Sequence, residues 1–302
     1  MGEKYVIWHV QGGLGKNIAA SSLTKDIKQK HRDRKFILVC SFPEVFLNDP
    51  NIDKVYQIGN HPYFYENYIE NKDVIIFKHE PYEQTGHITK KNHIIKSWCE
   101  LLDIKHQNQQ PNLLINISQN QYLKKWDRPK PILLLQTNGG PLQDLNNPIS
   151  PVAYEWTRDI PIELAQSIVD KYSLKYHIIH LTKPEGYILS GVERLDTKVP
   201  LMNLISLVST SHHRILIDSS LQHLSAAMNL PSIVFWIGTS PTVFGYNLHK
   251  NIKAKLPIKA NQLINSYTFD YQFSDNSHEC PYLNVNEMYN IKETLNSLDT
   301  LL

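Results

Sequence analysis

Only three cysteines, Cys40, Cys99 and Cys280, occur in 302 residues. They are far apart, odd in number and form no C-x-x-C pair, which argues against a disulfide framework or a structural zinc site and for a reducing compartment. An excess of one charge is also missing. Thirty-one basic residues against 29 acidic ones leave a net charge of +2, so the molecule as a whole makes no case for nucleic-acid binding, although local basic patches stay open. Long apolar runs are absent. The opening MGEKYVIWHVQGG holds about five apolar residues before polar and glycine residues take over, too few for a signal-peptide core or a membrane span. Val6 stands where a myristoylation signal wants serine or threonine. A soluble, cytoplasmic protein is expected. A P-loop is missing too, which argues against a sheet-based nucleotide hydrolase.

What is there is a globular composition, 41% hydrophobic and 20% charged, on a chain long enough for two domains that each bury a core. Continuous apolar runs at Tyr5–Val10, Phe36–Cys40, Val55–Ile58 and Val74–Phe77 read as parallel strands covered on both faces. Helical spacing runs over Asn17–Lys30 and His93–Leu102. After the charged, proline-rich KKWDRPKP at 124–131, which reads as an interdomain linker, the pattern restarts. Strands are expected at Ile132–Gln136, His177–Leu181, Arg214–Asp218 and Ser232–Trp236, and helices at Pro161–Tyr172, Leu201–Val208, Gln222–Met228 and over the tail Val285–Leu302. Strand and helix alternating with short connectors predict a doubly wound α/β architecture.

Three places carry candidate chemistry. The first is HVQGGLGKN at 9–17, where Gly12, Gly13, Gly15, Lys16 and Asn17 lie between a strand and a helix. Such a loop lets backbone amides approach an anion, and it serves equally as a tight turn. The second is QTNGGP at 136–141, where Thr137, Asn138, Gly139 and Gly140 follow a strand; Arg158 lies near a helix start and suits a diphosphate through bidentate contact. The third is RILIDSSLQHLSAAMNLPSIVFWIGTSPTVFGY at 214–246. A buried strand delivers Asp218 to its C-terminal end, where open α/β sheets bind ligands, and Ser219 and Ser220 open a helix that carries His223 on its first turn.

The segment 214–246 resembles the hallmark of the ADP-heptose–lipopolysaccharide heptosyltransferases and their relatives. In that family a strand ends in Asp-Ser/Thr-Gly, histidine follows three residues later, and an alanine-rich helix, a proline-led strand and a glycine- and threonine-rich loop come next. The likeness extends to residues 15–58, with Asn48–Val55 similar to the family's Asn-Pro-x-Ile/Val-Asp-x-Val segment, to 132–161, and to the closing helix. It implies two facing Rossmann-like domains of the GT-B type with a cleft between them, an acceptor side at 1–128 and a nucleotide-sugar side at 129–302. It implies a glycosyltransferase, inverting and metal-independent, with the nucleotide sugar as co-substrate and no cofactor. Carried over by position, Asp218, Ser219, Ser220, Gln222 and His223 would line the donor's sugar and phosphates. Thr137, Asn138 and Arg158 would face the diphosphate, and Glu193 the donor hydroxyls.

Two departures matter. The aspartate that the family usually carries directly after its N-terminal glycine, its presumed base, is Lys16 here, and the glycine after Asp-Ser/Thr is Ser220. A lysine is a poor base unless burial lowers its pKa, so the base is sought among His79 and Glu80, in FKHEPY after a first-domain strand, and Lys16 itself. Lys16 alternatively binds an acidic acceptor or the donor diphosphate. The acceptor is a glycan, a lipid-linked sugar or, through Lys90, Lys91, Lys96, Lys124, Lys125 and Arg128, a modified nucleic-acid base. A non-catalytic nucleotide-sugar-binding protein is the competing class. Tyr63, Phe64, Tyr65 and Tyr68 suit either stacking on a ligand or core packing, and His278 with Cys280 lacks the partners of a metal site.

Overall fold

The computed structural model describes residues 2–114, 126–139, 158–255 and 282–302. Lys124, Lys125, Gly140, His278 and Cys280 lie outside them. The chain divides into two compact units, Met1–Gln119 and Asn120–Leu302, with the short Ala226–Asn229 segment counted with the first.

In the first unit β1 (Lys4–Val10), β2 (Lys35–Cys40), β3 (Lys54–Gln57) and β4 (Asp73–Phe77) form a parallel sheet in the order β3-β2-β1-β4. β1 is central and almost wholly buried because both of its faces are covered. On one face Trp8 meets Trp98 of α5 (Ile94–Leu101) edge to face at 5.7 Å. On the other, Tyr5, Ile7, Ile37 and Val39 pack with Tyr68 of α3 (Phe64–Tyr68). The aromatic cluster is therefore divided. Phe64 and Tyr68 join the core, while Tyr63 and Tyr65 are 75% and 60% exposed.

The helix expected at Asn17–Lys30 is two helices, α1 (Leu14–Ala20) and α2 (Thr24–Lys30), joined by a tight 3-10 turn at Ser21–Leu23. The Ser21 and Ser22 hydroxyls donate to the carbonyls of Ile18 and Ala19 at 2.7 Å each, the local competition that makes serine a weak helix-interior residue. The short α4 (Thr85–Ile88) follows β4.

The second unit holds a six-stranded parallel sheet. Its strands are β5 (Ile132–Gln136), β6 (His177–Thr182), β7 (Glu193–Asp196), β8 (His213–Ile217), β9 (Ile233–Trp236) and β10 (Lys250–Lys253), in the order β10-β9-β8-β5-β6-β7. Leu133, Leu135, Ile215, Ile217, Ile233 and Phe235 form its core with Leu164, Ile168 and Val169 of α6 (Ile162–Tyr172). Leu298 of the closing helix Ile291–Asp299 packs into the same cluster. Further helices are α7 (Leu201–Thr210), α8 (Ser220–Ala227) and α9 (Pro241–Phe244). β7 (ERLD) and β10 (KNIK) had no apolar run to announce them. They are the edges of the sheet, where charged residues are tolerated and discourage pairing with other chains.

Arg214 is a buried cation in β8. Its guanidinium donates to the carbonyls of Val208 (3.0 Å), Ser211 and Pro231 (3.0 and 3.3 Å). It thus caps the last turn of α7, where the helix dipole favours positive charge, and burial pushes its pKa down. We expect Arg214→Ala to destabilise the second unit by about 3 kcal/mol, because buried carbonyls lose their donors. Urea unfolding will read this as a lower midpoint at unchanged slope, and a change below about 0.5 kcal/mol, the scatter of ordinary surface substitutions, would refute the role. Burial also pushes the Cys40 and Cys99 thiols up to about 12. Both should resist a thiol reagent at pH 8 in the folded protein and react once it is unfolded.

Candidate functional site

In a parallel sheet every strand delivers its C-terminal end to the same edge, and ligands bind there. At that edge of the first unit, Gly12 has φ +118°, a conformation that favours glycine. Its amide donates to Ser41 Oγ at 3.1 Å. Asn17 Nδ2 donates to the carbonyls of Gly12 and Gly13 at 3.1 and 3.0 Å, tying the loop to α1. A side chain on Gly12 would crowd the stem of Lys16, which packs across it. Gly13 caps α1 and Gly15 lies in its first turn.

Lys16 is buried, and its ammonium donates to both carboxylate oxygens of Glu80, 2.6 Å from Oε1. It also lies 4.8 Å from the centre of the Tyr82 ring, a cation–π contact. Burial lowers the Lys16 pKa, and the charges of Glu80 and Glu83 oppose that shift. Glu80 Oε1 further accepts from the Tyr82 amide at 3.4 Å and so caps the turn Pro81–Glu83. Two of the candidate catalytic residues are thus a single ion pair. His79 is exposed beside them, and a cavity of about 200 Å³ is lined by His9, Gln11, Lys16, Lys78, His79, Glu80 and Glu83.

At the same edge of the second unit, Asp218 directly follows β8 and is buried. Desolvation raises its pKa, and the positive charge of Arg158 pulls it back down. Ser219 Oγ donates to Gln136 Oε1 at 2.6 Å and accepts from the Leu221 amide at 3.4 Å, capping α8. Ser220 is half-buried at the first position of that helix. His223 Nδ1 lies 2.7 Å from the hydroxyl of Tyr246, a buried residue from beyond α9.

Three donor-side candidates are committed inside the fold. The Thr137 hydroxyl is fully buried, 2.7 Å from His180 Nε2, and burial lowers the His180 pKa to about 4, which keeps the ring neutral at pH 7. Asn138 Nδ2 donates to Thr182 Oγ1 at 2.7 Å, and its Oδ1 accepts from the Lys183 amide at 2.8 Å. A Cβ on Gly186 would strike both Thr182 and Asn138, so glycine is needed there. Gln222 Nε2 donates to the Phe244 carbonyl at 2.9 Å. These bonds fix the course of the loop, and Gly139 is set against Ile217 and Ser219. The positioning residues Gln136, His180, Thr182 and Tyr246 were not singled out in sequence, since each lies between 23 and 83 positions from the side chain it holds.

Glu193 is placed otherwise than expected. It opens β7 opposite Ile179, away from the C-terminal edge. Its carboxylate accepts from Arg128 at 2.9 and 2.7 Å and lies 2.6 Å from His177 Nε2. Arg128 first, then His177, hold its pKa down to about 2. The basic residues considered for a nucleic-acid acceptor are correspondingly fewer on the surface, with Arg128 paired and Lys90 half-buried. A depressed carboxylate pKa contributes stability that is complete above pH 4.5 and fades as pH falls towards about 2. We expect Glu193→Gln to flatten the acid limb of thermal stability between those values, by about 1 kcal/mol given solvent screening, and to leave nucleotide binding unchanged. Melting curves from pH 2 to 7 test this.

No helix among the described residues is long and apolar enough to cross a membrane. No family model and no curated protein sequence matches the chain, but solved structures do. A glycosyl transferase family 9 protein from Veillonella parvula aligns over 100% of this chain and 98% of its own, at 14% identity and a TM-score of 0.63. The ADP-heptose lipopolysaccharide heptosyltransferase II of E. coli aligns over 98% of both chains, at 12% and 0.64. TibC, an iron-containing dodecameric glycosyltransferase of enterotoxigenic E. coli, aligns over 99% of this chain and 77% of its own, at 13% and 0.65. Among the described residues no three His, Cys, Asp or Glu side chains come together as a group that could hold a metal ion. Over its whole length this chain has the two-unit α/β fold of the GT-B glycosyltransferases related to ADP-heptose lipopolysaccharide heptosyltransferases.

Proposed function

We propose that the protein is a cytoplasmic glycosyltransferase that moves a sugar from a nucleotide-diphosphate sugar to an acceptor hydroxyl, with inversion and without a metal ion. The observation that supports this best is the second unit's C-terminal edge, where Asp218 and His223 are buried, the half-buried Arg158 acts on Asp218, and Ser219 lies against Gly139 of the loop after β5. Arg158 and the start of α8 counter the charge that develops on the diphosphate as the bond from the anomeric carbon to its oxygen breaks. Asp218 and His223, the latter held by Tyr246, orient the sugar.

The first unit supplies the acceptor side. Glu80 takes the proton of the acceptor hydroxyl as its oxygen bonds to the anomeric carbon. Lys16 holds that carboxylate in place through the ion pair and the Tyr82 contact. A lysine at the position of the family's usual aspartate is thereby consistent with catalysis, because the carboxylate comes from the end of β4 instead. The Lys16 ammonium, donating to both Glu80 oxygens, is a positioning group rather than a base.

A panel of nucleotide diphosphates and nucleotide sugars tests the reading. One donor should stabilise the wild type by about 2–3 kcal/mol at a hundredfold excess over its dissociation constant, and Arg158→Ala and Asp218→Ala should lose that effect. Glu80→Gln should keep donor binding and lower turnover by about 100- to 10,000-fold, the usual worth of a general base. A panel in which no nucleotide shifts the melting temperature would overturn the assignment.

A further inference from the structure

Each sheet has two edge strands, and three of these four carry unopposed charge. β3 (KVYQ) opens on Lys54, β7 (ERLD) has three charged residues and β10 (KNIK) two lysines, a common means of keeping an edge from pairing with another chain. β4 (DVIIF) is the exception. Its one charge, Asp73, stands at its start and is bonded to Arg34. Four apolar residues follow, with no charge, proline or break in register among them.

Among the described residues no strand lies beyond β4. The Asp73 amide donates to the Glu3 carbonyl at 3.2 Å. In the parallel ladder with β1, the backbone groups of Asp73, Ile75 and Phe77 therefore face inward and those of Val74 and Ile76 face out. No hydrogen bond from a described residue reaches these outer groups. The cover over the sheet also stops short of this strand. Ile7 and Ile76 are neighbours in register on one face, yet Ile7 is 3% exposed and Ile76 is 47% exposed. An exposed, apolar and unpaired edge is a template for one more strand.

The residues along the edge select which strand. An antiparallel pair related by a twofold axis perpendicular to the sheet keeps every residue on its own face, so opposite residues differ by an even number of positions. With Ile76 opposite its own copy, the outer groups of Val74 meet those of Lys78, Ile75 stands opposite Phe77, and Asp73 stands opposite His79. Lys78 and His79 follow β4 directly and are both exposed. This register buries the most exposed apolar residue of the strand against itself and sets a carboxylate across from an imidazole. Moving the axis to Ile75 puts Lys72 opposite Lys78 and Asp73 opposite Phe77, and like charges across strands are unfavourable.

We propose that the β4 edge pairs antiparallel with β4 of a second copy of this chain, centred on Ile76, and joins two four-stranded sheets into one of eight strands. His79 lines the first-unit cavity, so the partner's Asp73 brings a carboxylate from the second copy to the rim of that cavity. The pairing does not rest on the transferase reading.

Analytical ultracentrifugation of the full chain should show a concentration-dependent dimer. Ile76→Lys, which gives β4 the charge the other edges have, should be monomeric at the same concentrations with its melting temperature retained. Opposed residues of a hydrogen-bonded antiparallel pair have Cα atoms about 5.5 Å apart, inside the roughly 4.4–6.8 Å that a disulfide spans. Oxidised Ile76→Cys should therefore run as a covalent dimer on a non-reducing gel. Ile75→Cys, Leu174→Cys at an exposed position of the second unit and the wild type should not. Across from Asp73, His79→Glu should weaken the dimer and His79→Lys should keep it. A chain monomeric at its highest soluble concentration overturns the proposal and leaves the edge to an extended segment of a different protein. A dimer that Ile76→Lys leaves intact overturns it as well. A disulfide through Ile75→Cys rather than Ile76→Cys, or equal effects of the two His79 variants, overturns the register and with it the contribution of the partner's Asp73.

Discussion

Every strand described in this protein runs parallel to its neighbours within its sheet, and that constraint governs the rest of the structure. Parallel strands need helical crossovers, the crossovers bury both sheet faces, and the strands must then be apolar along nearly their whole length. Polar chemistry is consequently expelled to the strand ends. His9, Lys78 and Glu80 in the first unit, and Gln136, Asp218 and Thr137 in the second, sit where the apolar run stops. Glu193, at the beginning of its strand, lies at the other end and pairs with Arg128 and His177.

Within that frame the first unit turns on a charge exchange between two loops. Lys16 follows the glycine loop, and a buried ammonium demands a partner. Glu80 answers from the end of β4, and the Tyr82 ring covers the pair. The pairing makes Lys16 an organiser of the carboxylate.

The second unit illustrates how polar residues at a ligand edge divide their labour. The hydroxyl of Thr137, the amide of Asn138 and the Nε2 of Gln222 are hydrogen-bonded inward at zero or near-zero exposure, while Gln222 Oε1 is buried without a partner among the described residues. They fix the course of the loops. The charge of Arg158 acts on the buried Asp218 at the same edge and opposes the desolvation that raises its pKa.

The sequence by itself determined the α/β class, eight of the ten described strands and the edge residues of the 214–246 segment, because apolar runs and the turns between them are local signals. It did not reveal β7 and β10, whose edge positions permit charged residues, nor the break in the first helix, which depends on hydroxyls bonding back to their own helix. Only the tertiary structure decided that Lys16 and Glu80, 64 positions apart, are one ion pair, that Thr137 belongs to His180, and that Glu193 belongs to Arg128. Hydrogen bonding and burial act over ångströms in space. No local pattern encodes which distant side chain will arrive to satisfy a buried charge.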